Sequence, residues 1–180
     1  MDPSRDPGRR AGLRGAASAV AIALLLFGVT APLGGGARTE ESDSLNPFLR
    51  GTLEKTLSGV LASVDGDRCR RIFSDFRDAR GRPLSSVLED LHLSARGYLS
   101  GVRFASGQGS RPCGDSRIIA FTRPRAGTIY LCERFAVVAR ENPRLGAALV
   151  LHEALHTLGL QENPPLSTEI TQRVLDRCGG

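Results

Sequence analysis

The chain has no tryptophan, one methionine (Met1) and one lysine (Lys55). Aromatic residues make up only 5% of it, too few for the stacking platforms that hold single-stranded nucleic acids. Its net charge of +5 is therefore carried almost wholly by arginine. Four of these arginines (Arg5, Arg9, Arg10, Arg14) precede an apolar N-terminal run. The remainder of the chain carries only about +3, a weak electrostatic footprint that excludes nucleic acid as the expected partner. The longest apolar run, residues 16–29 (AASAVAIALLLFGV), falls short of the roughly 20 residues of a spanning helix. Cysteines are few and widely spaced: Cys69, Cys113, Cys132 and Cys178, with no pair closer than 19 positions. That spacing lacks the Cys-x-x-Cys knuckle of a zinc thiolate site. No internal repeat is visible, and low complexity is confined to the Ala-rich leader.

The bulk composition is ordinary. A chain of 180 residues with 41% hydrophobic and 24% charged residues is expected to fold as one globular domain. Its first 37 residues have the three parts of a secretory signal: basic residues, an apolar core, and small residues ending in GGGA. Cleavage is expected after Ala37, with an uncleaved membrane anchor as the alternative. Residues 38–46 are polar and read as a linker, and residues 47–180 as the domain. A secreted or periplasmic location is expected from the leader, and contact with the membrane only through it. In an oxidising compartment the four cysteines are expected to form two disulfides, and three pairings are open. A monomer is the expected state.

Along the domain, Leu49, Leu53, Leu57, Val60, Leu61 and Val64 recur at three and four positions and predict an amphipathic helix over residues 47–64. Shorter helices are expected around Ile72, Phe73 and Phe76, and after Pro83 through Val87, Leu88 and Leu91. From Tyr98 the texture changes. YLSGVRFASG, RIIAFTRP and GTIYLCERF are short apolar or β-branched runs punctuated by Gly, Ser and Pro, and predict three strands. Asn142 followed by Pro143 predicts a helix start, with Leu145, Ala148, Leu151, Leu155 and Leu158 as its apolar stripe and Gly159 as its left-handed stop. A last helix is expected from about Ser167 to Cys178.

Two of the three histidines fall in that penultimate helix, as HEALH. Residues four apart lie one turn above each other, so His152 and His156 can direct two imidazole nitrogens at one ion. Glu153 is offset by about 100 degrees around the helix. From there its carboxylate can reach a water on the ion without occupying a ligand position, which suits a general base.

HEALH resembles the signature of the zincin metallopeptidases, and HEALHTLGL that of the metzincins, whose pattern is HExxHxxGxxH or HExxHxxGxxD. Gly159 stands at the turn glycine. The third-ligand position is Glu162, however, and no methionine is available for the turn that metzincins carry beneath the metal. A glutamate as third ligand resembles the gluzincins, in which a following helix supplies it, and Glu169 is the alternative on that ground. The resemblance implies an α+β, zincin-like domain: N-terminal helices, a small mixed or antiparallel sheet, the HExxH helix and a C-terminal helix. It implies Zn2+ held by His152, His156 and Glu162 or Glu169, and hydrolysis of a peptide or protein substrate by a metal-activated water with Glu153 as general base. It also implies an edge strand that pairs with substrate, for which Thr128, Ile129, Tyr130 and Leu131 stand in the right sequence position. The transition-state stabiliser is left among Tyr130, Tyr98 and His92. A non-catalytic zinc-binding or interaction module on the same scaffold is the competing reading, against which stands Glu153, a residue that a structural site does not need. A disulfide-stapled interaction domain without metal is a third.

Overall fold

In the computed structural model the described residues are 45–179. The expected leader and all but the end of the expected linker lie outside them. The first helix, α1 (Pro47–Ser63), starts where the Asn46 side chain accepts the N–H of Leu49 and Pro47 occupies the first turn. Leu49, Leu53 and Val60 form its buried face. Two single turns, α2 (Asp67–Arg70) and α3 (Ile72–Asp75), bury Cys69, Ile72 and Phe73. The chain then reverses over residues 78–82 and enters α4 (Leu84–Asp90).

The stretch beginning at Tyr98, expected as strand, opens instead as helix α5 (Ala95–Gly101). The Ser94 side chain accepts the N–H of Gly97 and caps it, and Ala95 and Leu99, four apart, are both buried. Only after Gly101 does the chain extend, as β1 (Arg103–Ser106). A 3-10 turn at Pro112–Gly114 leads to the short β2 (Ala120–Phe121) and then to β3 (Thr128–Leu131). Helix α6 (Arg134–Glu141), for which the sequence pattern carries no expectation, precedes α7 (Pro143–Thr157) and α8 (Ser167–Cys178). The class is α+β with a small mixed sheet.

The sheet order is β1-β3-β2. β1 runs parallel to β3, pairing Phe104 with Ile129 and Ser106 with Leu131, while β2 is antiparallel, pairing Ala120 with Leu131 and Phe121 with Tyr130. Ile129 and Leu131 point into the core and Thr128 and Tyr130 away from it, the two-residue alternation of a strand covered on one face. Both sides of β3 are thus hydrogen-bonded. Thr128, Ile129, Tyr130 and Leu131, expected to form the substrate-binding edge, are the central strand, and the edges are β1 and β2.

Among the described residues helix α7 is central, packed by α1, α6, α8 and the sheet. Its expected single stripe is in fact buried almost all round from Val150 to Thr157. Its crossing with α6 is closer than any side chain permits: a Cβ at Gly146 would lie 2.5 Å from the Cβ of Ala139. Two disulfides staple the domain. Cys113–Cys132 ties the 3-10 turn to the end of β3, and Cys69–Cys178 ties α2 to the C-terminus of α8 across 109 residues of sequence. In the chain-entropy account a closure of that length contributes about 4–5 kcal/mol. The salt bridge from Arg177 to Asp75 reinforces the same junction. Among the described residues no helix is long and apolar enough to cross a membrane.

Candidate metal centre

Helix α7 begins as its sequence predicts, with the Asn142 side chain accepting the N–H of Leu145 and Pro143 at the first position. Its last turns carry His152, Glu153 and His156, which are 3%, 8% and 6% exposed. Gly159 then adopts φ +114°, a conformation that L side chains rarely take, and the chain turns back over the helix end. That turn returns Glu162 to the histidines. Asn163 comes next at φ 57°, a left-handed conformation that asparagine tolerates.

The result is a triangle of ligand atoms. His152 Nε2 lies 3.1 Å from His156 Nε2. Glu162 Oε1 is 3.4 Å from each. Tetrahedral nitrogen and oxygen ligands about 2.0–2.1 Å from one zinc ion are separated by about 3.3 Å, so the three atoms already have the spacing that an ion would require. The group can hold a metal ion.

The other ring nitrogens show why these imidazoles face inwards. His156 Nδ1 lies 2.8 Å from the carbonyl of Leu160, which can only accept, so Nδ1 carries a proton and Nε2 is the nitrogen turned towards His152. His152 Nδ1 lies 2.9 Å from the hydroxyl of Thr171 on α8. Each imidazole is therefore held in its ring angle by one outer partner, as metal-binding histidines are; the Leu160 carbonyl also fixes the tautomer of His156, whereas the Thr171 hydroxyl can donate or accept.

Burial sets the electrostatics. His152 is held well below the ordinary imidazole value, at about 4, by burial and by the neighbouring His156, against an opposing pull from Glu162. It is thus neutral and able to ligate at physiological pH. Glu153 is pushed up to about 8 by burial and by the Glu162 carboxylate, with the backbone amide of Thr122 acting in the opposite direction. A carboxyl that changes protonation near neutrality beside two histidines is equipped to exchange protons.

These groups form the floor of a cleft of about 360 Å³. One wall is β2 with its flanks, Ile118 to Thr122 and Pro124, and the other is Leu149 with Ser167 and Thr171 of α8. The strand that borders the histidines is therefore β2, whose pairing with β3 occupies only one of its sides.

Glu169, the alternative third ligand, is elsewhere. Its carboxylate accepts the N–H of Leu166 at the start of α8, and it opens onto a different cavity with Pro165 and Arg173. Tyr130 stacks on Phe121, with ring centroids 5.1 Å apart. Tyr98 donates its hydroxyl to Thr157, and His92 is exposed just past α4. None of these three is among the residues lining the cleft. Sequence reasoning missed the Leu160 carbonyl, Thr171 and the β2 wall. Only Thr171 left a trace, as a polar residue directly after the buried Ile170 on α8.

No family model matches the chain, and neither the curated proteins nor the solved structures contain a match to it.

Proposed function

We propose that this chain is an exported zinc-dependent endopeptidase of the zincin type. The observation that carries the reading is the convergence of His152 Nε2, His156 Nε2 and Glu162 Oε1 within bonding range of one ion, with the Glu153 carboxyl buried beside them in a cleft. Two imidazoles and a carboxylate form a donor set suited to zinc. Zinc bound there would supply Lewis acidity towards a peptide carbonyl and towards water.

The chain's own residues do the rest. An extended peptide pairs with the open side of β2 through main-chain hydrogen bonds, which carries a scissile carbonyl past the histidines. In its ionised form Glu153 takes a proton from water as the water oxygen bonds to the scissile carbonyl carbon, and delivers that proton to the amine as the C–N bond breaks. Thr171 and the Leu160 carbonyl keep the two imidazoles turned towards the ion throughout. Export is supported by the three-part leader and by two disulfides in a domain of modest size.

The test is cleavage of an unfolded protein or a peptide library by the zinc-loaded protein. Cleavage should vanish with a chelator, return with zinc, and fall by about 10²- to 10⁴-fold in Glu153→Gln, while that variant still binds zinc. Stoichiometric zinc with no cleavage by either protein would overturn the peptidase reading and favour a non-catalytic metal-binding module.

A further inference from the structure

Asp78 lies far from the histidines in sequence, in the reversal between α3 and α4, yet its side chain is wholly buried. Its carboxylate is fully engaged. Oδ1 accepts the N–H groups of Arg80 and Arg82 at 2.8 and 3.0 Å, and Oδ2 accepts from the guanidinium groups of Arg82 and Arg125, both at 3.2 Å. The first pair is what any aspartate does in a tight turn. The Arg125 contact is not local, because it reaches across 47 residues.

Both partners of that ion pair touch the turn that ends α7. Asp78 pairs with Leu160 in an isolated antiparallel bridge. Arg125, itself at φ 65°, donates its backbone N–H to the carbonyl of His156 at 3.1 Å. A Cβ on Gly159 would lie 3.3 Å from Asp78 Cβ and 3.3 Å from Arg125 Nε, so the glycine turn rests directly on the pair. The carbonyl that Leu160 presents is the one that accepts the His156 Nδ1–H.

We propose that Asp78, acting with Arg125, is a positioning residue of the metal centre: it fixes the Gly159–Leu160 turn so that the Leu160 carbonyl holds the His156 imidazole with Nε2 facing His152 and Glu162. This rests on the metal reading of that triad. Neither Asp78 nor Arg125 is among the residues lining the cleft, and Asp78 opens with Leu160 onto a different cavity, so the pair acts through Leu160 and the His156 backbone. It also explains why the turn needs glycine, since a side chain at position 159 would press on both partners.

The experiment compares the full chain with Asp78→Asn, Arg125→Gln and the double variant, after circular dichroism has established that each is folded. Zinc affinity is read by competition with a chromophoric chelator, ligand geometry by the visible spectrum of the Co(II) form, and the His156 ring N–H by nitrogen-15 NMR of the metal-free protein. Asp78→Asn should weaken zinc binding by about 10- to 100-fold and Arg125→Gln by about 10-fold. The double variant should be no worse than Asp78→Asn alone, the cobalt bands should shift, and the Nδ1–H should exchange faster.

A folded Asp78→Asn protein with wild-type affinity, cobalt spectrum and N–H exchange overturns the inference. Should Asp78→Asn not fold, Arg125→Gln decides, because it leaves the backbone contacts of Asp78 in place, and wild-type values there overturn it equally. A wild-type chain that takes up neither ion overturns the metal reading itself. In that event the N–H alone decides the positioning role: faster exchange in the variants supports it, and unchanged exchange removes it.

Discussion

The proposed ligand triad is built from two unlike regions. His152 and His156 stand on a helix buried on nearly every side, each imidazole tied by a second hydrogen bond, whereas Glu162 comes from a surface loop and leaves 40% of its side chain exposed. The rigid half pre-arranges two nitrogens at no further cost on binding. An exposed glutamate side chain has rotamer freedom to lose when an ion binds, and that loss opposes part of the gain. In the proposed metal centre the helix would therefore set where an ion sits, and the loop how tightly it is held.

The largest effect should come from breaking the rigid half. His156→Ala should lower zinc affinity by more than the roughly 100-fold that loss of an outer-shell partner costs. Glu162→Ala should cost distinctly less than His156→Ala, because water can replace an exposed oxygen ligand more easily than a buried nitrogen. Chelator competition measures both, and equal losses would erase the contrast between helix and loop.

Next in size is a pH effect on the metal-free protein. The Glu153 carboxyl is raised to about 8 in the fold from 4.5, so its contribution to stability is full at low pH and is lost as pH rises through 8. His152 is lowered to about 4 from 6.5, so its contribution is present above 6.5 and is lost as pH falls through 4. The two slopes oppose each other between about 4.5 and 6.5, which leaves a net loss between about 6.5 and 8. Its size is on the order of a few kcal/mol. Urea unfolding at a series of pH values measures it, and Glu153→Gln should flatten the alkaline side.

Smaller still, Thr171→Val keeps the shape of α8 but removes the hydroxyl beside His152 Nδ1. Zinc affinity should fall by about 10-fold, the low end for an outer-shell partner, with little change in melting temperature. The smallest effect is expected at Glu169. Glu169→Ala should leave zinc affinity unchanged and cost about 1 kcal/mol of stability, as loss of a contact at a helix start does. A fall in zinc affinity there would restore Glu169 as a ligand.

How much of the molecule is legible in its sequence depends on the range of the interactions involved. Asn142, Pro143 and Gly159 announce the limits of α7 because caps and left-handed stops are read within four residues. Two histidines four apart on one helix are local in the same sense. The α5 segment reads wrongly as strand because Tyr98 and Leu99 are compatible with either period, and the Ser94 cap that decides the matter lies upstream of the apolar run. Glu162 and Glu169 could not be separated, because a loop with proline at 164 and 165 has no periodicity from which to compute where a carboxylate returns.

By itself, the sequence determined the centre of the proposed site: a helix that presents His152, Glu153 and His156 on adjoining faces, with a glycine that turns the chain immediately afterwards. Helix geometry repeats every 3.6 residues and needs no distant partner to place those groups. Only the tertiary structure brings Glu162 beside the two histidines, pairs Cys69 with Cys178 and Cys113 with Cys132, makes β3 central and β2 the border of the cleft, and places Thr171 against His152 and Asp78 against the turn after His156. Each of these is a contact between segments well separated along the chain. Its existence depends on how helices and strands pack against one another, which no short window of sequence encodes.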